Sequence, residues 1–167
     1  MNVLDCTLRD GGYYTGWNFS KNLFENYLKT ISKLNVSIIE LGYISDAKDN
    51  NGLFYHLNKE ILSKAKSLIR KDQKIFAMIN FKEIKSVNQL DKLLADKKNI
   101  LNGVRFAIPP SKIKNLSVMI NKISRKYKNM SFNINLMYLS KWIHDERVLK
   151  NVLSNVSKNI EILSFVD

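Results

Sequence analysis

The sequence predicts an α/β chain of the (β/α)8 TIM-barrel type, incomplete, with six parallel strands and five helices. Three observations predict it. Short apolar runs alternate with amphipathic stretches of helical period along the whole chain, the pattern of a parallel sheet crossed over by helices. The turn after the first strand holds neither a GxGxxG nor a GxxxxGK[ST] string, which sets aside the doubly wound nucleotide binder that would also fit the alternation. Polar residues close several of the apolar runs, at the ends where barrel enzymes keep their chemistry.

Each element has its own local reason. Val3 to Thr7 reads as a strand, and Ser20 caps a helix to about Leu34 whose Leu23, Phe24, Tyr27, Leu28, Ile31 and Leu34 form one stripe. VSIIELGYI, from Val36 to Ile44, is a dense apolar strand, followed by a helix over Leu57 to Ile69 and the strand KIFAMIN at Lys74 to Asn80. Ser86 and Gln89 have capping-box spacing and open a helix to about Asp96. Gly103 to Ile108 is a strand stopped by Pro109 and Pro110, and a helix over Ser111 to Tyr127 buries Ile113, Leu116, Ile120 and Ile123. Phe132 to Leu139, a helix from Lys141 to about Val156, and Ile160 to Val166 complete the set. The expectation is a single domain over residues 1–167, the N-terminal part of a barrel that lacks strands seven and eight. A closed barrel has eight strands and about 250 residues. The missing part is either absent sequence or supplied by a homo-oligomer or partner chain that closes the sheet.

Composition narrows the classes. The 45% hydrophobic and 25% charged content is that of an ordinary globular protein. No apolar run approaches the roughly 20 residues of a membrane span, and the N-terminus has no signal-peptide pattern, so the cytoplasm is the expected location. Cys6 is the one cysteine, which rules out an intrachain disulfide or a thiolate cluster. With 27 Lys and Arg against 15 Asp and Glu, the net charge is +12. The lysines are spread over nearly every polar helix face with no nucleic-acid-binding motif, so solvated faces are expected and nucleic acid is not.

The opening LDCTLRDGGYYTGWNF carries the chemistry. Arg9 and Asp10 stand side by side at the rim, followed by Gly11 and Gly12. A carboxylate there can ligate a hard divalent cation, and a guanidinium can hold a carboxylate or a developing enolate oxygen. Glycines would let backbone amides approach a small anionic ligand. A structural Arg–Asp pair bridging the rim explains the same two residues.

These residues resemble the first strand of the DRE-TIM metallolyase superfamily, the HMG-CoA-lyase-like barrels, and within it the 4-hydroxy-2-oxovalerate aldolase-like branch. Its Asp-x-Thr-Leu-Arg-Asp-Gly string is present from Asp5 to Gly11. IIELGYI, KIFAMIN, GVRFAI, INLMYLS and SFVD resemble the family's second to sixth strands in order. The resemblance implies a metal-dependent aldolase or lyase acting on a 2-oxo acid through a pyruvate-like enolate. It casts Asp10 as ligand to Mn²⁺ or Mg²⁺, Arg9 as the residue that steadies the enolate, and Glu40 as the carboxylate that holds Arg9. Gly11, Gly12, Asn135 and Asp167 would contact substrate. Tyr13 stands where the branch commonly has an acid/base histidine, with Tyr14 next to it. The family's His-x-His metal ligands lie beyond Asp167, and His56 and His144 are the only histidines here. Two further functions remain open: a catalytically inactive truncated relative working as an oligomerising module, and a basic nucleic-acid-binding domain.

Overall fold

The computed structural model describes residues 3–167. Strands β1 (Leu4–Asp5), β2 (Ile38–Tyr43), β3 (Lys74–Asn80), β4 (Gly103–Ile108), β5 (Ser131–Leu136) and β6 (Ile162–Phe165) form one parallel sheet in sequential order. The sheet curls into a half-barrel covered by helices, so the incomplete barrel is the observed architecture. Among the described residues, no helix is long and apolar enough to cross a membrane.

The register sorts the strand residues into two faces. Met78 pairs with Arg105 and Arg105 with Asn133, while Asn80 pairs with Ala107 and Ala107 with Asn135. Because side chains alternate along a strand, these residues share the concave face. The other face carries Ile75, Ala77, Ile79, Val104, Phe106, Ile108, Phe132, Ile134 and Leu136, all buried. It packs on the helices and holds the core. The apolar runs therefore alternate between a helix-facing layer and a polar interior that opens at the strands' C-terminal ends.

Among the described residues six α-helices accompany the strands, where the sequence predicts five. The additional one, α1 (Thr7–Thr15), is the segment TLRDGGYYT, expected to be a turn. Its start is fixed by Asp5, whose carboxylate accepts from the Thr7 amide and hydroxyl at 3.0 Å. Gly16, at φ 59°, ends it in the left-handed conformation that favours glycine. Two glycines inside a helix cost about 1 kcal/mol each relative to alanine. Packing overrides that penalty: Gly12 is buried under the Trp17 indole, and Trp17 Nε1 donates to the Arg9 carbonyl at 3.1 Å.

The remaining helices are α2 (Lys21–Ile31), α3 (Lys59–Leu68), α4 (Val87–Ala95), α5 (Ile113–Ile123) and α6 (Glu146–Asn155). Ser20 caps α2 by accepting from the Leu23 amide at 3.2 Å. Ser86 caps α4 through the Gln89 amide at 3.1 Å, and Gln89 Oε1 reaches back to the Lys85 amide at 2.8 Å. The helix predicted over Ser111 to Tyr127 is shorter, because Pro110–Lys112 forms a 3-10 turn before α5. Strand β5 stops at Leu136 rather than Leu139, since Tyr138 takes a positive φ of 65°. Strand β6 spans Ile162–Phe165 rather than Ile160 to Val166, and Asp167 lies two residues beyond it.

Candidate functional site

A cavity of about 620 Å³ opens at the C-terminal ends of the strands. Helix α1 contributes Arg9, Asp10 and Tyr13, which the i, i+4 spacing of a helix places on one face. Strand ends contribute Tyr43, Asn80 and Asn135, and the opposite rim holds Tyr138 and Asp167.

Glu40 organises the floor of the site. It is fully buried, and a lone buried carboxylate would be costly. Two guanidiniums satisfy it: Arg9 Nε donates to Oε1 at 2.8 Å, and Arg105 Nη1 lies 3.2 Å from both carboxylate oxygens. Arg105 Nη2 continues the network to Asn135 Oδ1 at 2.6 Å. Arg9 reaches Asp10 Oδ1 at 2.5 Å with its other arm. Burial works against the charge on Arg9, but Glu40 and then Asp10 more than offset it and hold the proton above the ordinary arginine range. Arg9 is thus a fixed, permanently charged donor at the cavity wall.

A second group of contacts stiffens that wall. The Tyr13 and Tyr43 hydroxyls are 2.9 Å apart. Tyr43 stacks on Tyr55 with ring centroids 4.8 Å apart, and Trp17 packs edge-on against Tyr13, Tyr43 and Tyr55. Glu40 and Tyr43 are three residues apart on one strand, which plain alternation would send to opposite faces. A register shift between them re-aims Tyr43 toward the cavity. Burial, and then the bond with Tyr13, push the Tyr43 hydroxyl well above the usual tyrosine range, so it stays protonated.

The predicted residues divide clearly. Arg9, Asp10, Tyr13, Asn135 and Asp167 all line the cavity, and Glu40 lies behind Arg9. Gly11 and Gly12 do not line it: Gly12 lies beneath Trp17, and the nearest neighbour of Gly11 is the Phe19 ring. Tyr14 is almost fully exposed. His56 bonds Asp49 Oδ1 at 2.9 Å and the Ser45 carbonyl at 3.2 Å, and neither His56 nor His144 reaches the cavity. Tyr43 and the bridging role of Arg105 were not anticipated. The signal for Arg105 was present, because a charge inside the apolar run GVRFAI needs a buried partner, and Glu40 in IIELGY is the matching one.

The donor set for a divalent metal is thin. Asp10 Oδ1 is engaged by Arg9, and Oδ2 accepts from the Cys6 thiol at 3.0 Å. Burial, and then that bond to Asp10, push the Cys6 thiol up to about 11, so it is not a ready thiolate ligand. Asp167 is held by the Ser140 amide and hydroxyl at 3.1 and 2.7 Å. Among the described residues, no group of three or more His, Cys, Asp and Glu side chains could hold a metal ion. The described residues do not by themselves fit Mn²⁺ or Mg²⁺.

The fold and site define a parallel α/β half-barrel with a charged polar cavity at the strands' C-terminal ends. No protein-family model and no curated protein sequence matches the chain. Among solved structures it is similar to the crystal structure described as the "N-terminal domain of a putative aldolase" from Bacteroides vulgatus. That likeness has a TM-score of 0.80 at 22% identity and covers 100% of this chain and 72% of the other. At that identity the likeness establishes the half-barrel fold.

Proposed function

We propose that the cavity binds a small 2-oxo acid and stabilises its enolate, as the site-bearing part of an aldolase- or lyase-type barrel. The observation that supports this most is the Glu40-braced Arg9 at the cavity wall. A guanidinium whose orientation is fixed before the ligand arrives can meet a developing oxyanion without reorganising. The Asn80 and Asn135 amides add neutral polar groups to the same cavity.

In an aldol cleavage of a 4-hydroxy-2-oxo acid, the C4 hydroxyl loses its proton, the C3–C4 bond breaks and its electron pair moves onto the C2 oxygen. Arg9 faces that oxygen, and C3 then takes back a proton to give the 2-oxo acid. Tyr13 carries that proton: as the phenolate, with the Tyr43 hydroxyl donating to its oxygen, it takes the C4 hydroxyl proton and then returns it to C3. No step is assigned to a metal, because the ligand set in this chain is incomplete.

The test is binding of oxalate, which mimics the planar enolate of a 2-oxo acid, by isothermal titration calorimetry. Wild-type protein binds it, and Arg9→Ala loses about tenfold or more in affinity, about 1.4 kcal/mol. Arg9→Lys, with folding checked by circular dichroism, keeps the charge and tests whether the planar fork matters. Equal oxalate affinity in wild type and both variants, or none in wild type, overturns the reading.

A second reading has its own observation. Strands β1 and β6 are the two edges of the sheet, and on β6 Ile162 and Phe165 are each 44% exposed. An edge of that kind pairs readily with another chain. An oligomeric module that closes the barrel through β6 predicts a concentration-dependent mass in analytical ultracentrifugation.

A further inference from the structure

Beside the main cavity is a smaller hollow of about 280 Å³, and the two share Lys82 and Pro109 in their linings. It lies between the turn after β3 (Phe81–Glu83) and the turn after β4 (Pro110–Lys112), still on the catalytic side of the half-barrel. Its rim carries Lys82, Lys85, Lys112 and Asn115, and Phe81 and Met119 line it with apolar surface. No carboxylate lines it. Among the described residues, none of the three lysines makes an ion pair, although other lysines, such as Lys64, Lys97 and Lys126, do. Glu83, the nearest acid in sequence, is turned to the other side, where its oxygens accept from Tyr55 at 2.7 Å and Ser45 at 2.5 Å.

We infer that this hollow receives a phosphate group carried at the end of the substrate remote from the 2-oxo acid. Three exposed lysines on the rim of one hollow carry positive charge that a dianion there neutralises. Ammonium groups bind phosphate as point charges, and a phosphate concentrates up to two negative charges on one centre where a single carboxylate carries one. The site thus divides its two ends by charge: one braced guanidinium for the oxo-acid end, three lysines for the phosphate end. The apolar lining fits the carbon chain between them. The identity of the oxo-acid end rests on the function proposed above; the phosphate hollow does not.

The probe is inorganic phosphate, titrated into the full chain in about 0.15 M salt, where charges farther apart than about 8 Å are screened. Amide shifts in a ¹⁵N–¹H spectrum report where it binds. Saturable shifts concentrated at residues 81–85 and 110–115 are expected. The exposed-lysine variant Lys82→Ala/Lys85→Ala/Lys112→Ala loses about tenfold or more in phosphate affinity, and Lys85→Ala/Lys112→Ala, which spares the Lys82 shared with the main cavity, loses phosphate affinity while it keeps its oxalate affinity. The control Lys71→Ala/Lys122→Ala/Lys128→Ala removes the same charge elsewhere and leaves phosphate binding unchanged. Succinate, the carboxylate comparator, binds the hollow more weakly than phosphate. Shifts spread over all helix lysines, equal losses in the two triple variants, or succinate binding as tightly as phosphate overturns the inference. If phosphate behaves as expected while oxalate fails to bind wild-type protein, the hollow stands and the oxo-acid reading falls.

Discussion

The two walls of the cavity are built differently. On the side of α1 and β2, Arg9 is bonded to Glu40 and Asp10, Tyr13 to Tyr43, and the Trp17 indole to the Arg9 carbonyl. On the side of β6, Tyr138 is half exposed in a left-handed conformation, and Asp167 is held only by Ser140. The contrast suits the proposed function: the braced wall holds a permanent charge for the oxyanion of the proposed reaction, and the looser wall leaves room for the variable part of its ligand.

Breaking the brace directly has the largest effect. Glu40→Ala leaves the Arg9 and Arg105 guanidiniums close together with no carboxylate between them, and losing one partner of a buried ion pair costs about 3–5 kcal/mol. Urea unfolding of the variant reads that loss. A loss below about 1 kcal/mol would mean that the two arginines find solvent freely and that the wall is not braced by charge.

The next effect comes from the helix that the sequence concealed. A Cβ at position 12 would stand 2.1 Å from the Trp17 ring, and that ring has nowhere to go among Tyr13, Tyr43 and Tyr55. Gly12→Ala therefore destabilises by about 1–3 kcal/mol despite the better helix propensity of alanine. Near-UV circular dichroism should register the displaced indole. An unchanged spectrum and stability would show that Gly12 serves conformation rather than packing.

That position also marks where sequence reasoning stopped. Sequential parallel strands were legible because VSIIELGYI, KIFAMIN and GVRFAI are apolar runs too short for helices and separated by capped helical stripes such as Ser20 to Leu34. Arg9 and Asp10 were legible as rim residues from their place after the first strand, and Tyr13 only through the resemblance to the metallolyase barrels. Helix α1 was not, because paired glycines carry a turn signal, and what overrides it is the indole of Trp17, which is held over Gly12 by Tyr43 and Tyr55 from elsewhere in the chain. The Arg105–Glu40 bridge joins residues 65 apart in the chain, so only the complementary charges in two apolar strands hinted at it.

A smaller effect separates charge from hydroxyl contacts within the braced wall. Tyr13→Phe removes one hydrogen bond to a Tyr43 hydroxyl that remains beside Arg9, and the expected cost is about 1 kcal/mol. Since Tyr13 is also the proposed proton carrier, oxalate affinity should be preserved while exchange of pyruvate methyl protons in D₂O falls. Loss of both together would make Tyr13 part of the binding surface instead.

The smallest effect belongs to the other wall. Ile162 pairs with Asn133 at the sheet edge and is 44% exposed, so Ile162→Thr keeps a β-branched residue in β6 and uncovers little apolar surface. Stability of the isolated chain should change by no more than about 0.5 kcal/mol, the usual range for surface positions. A loss of about 2 kcal/mol would instead place Ile162 in a buried interface of the kind the oligomeric reading requires. The same variant measured by ultracentrifugation then decides between them, because a threonine that dissolves an oligomer lowers the mass as well as the stability, whereas a free edge leaves both unchanged.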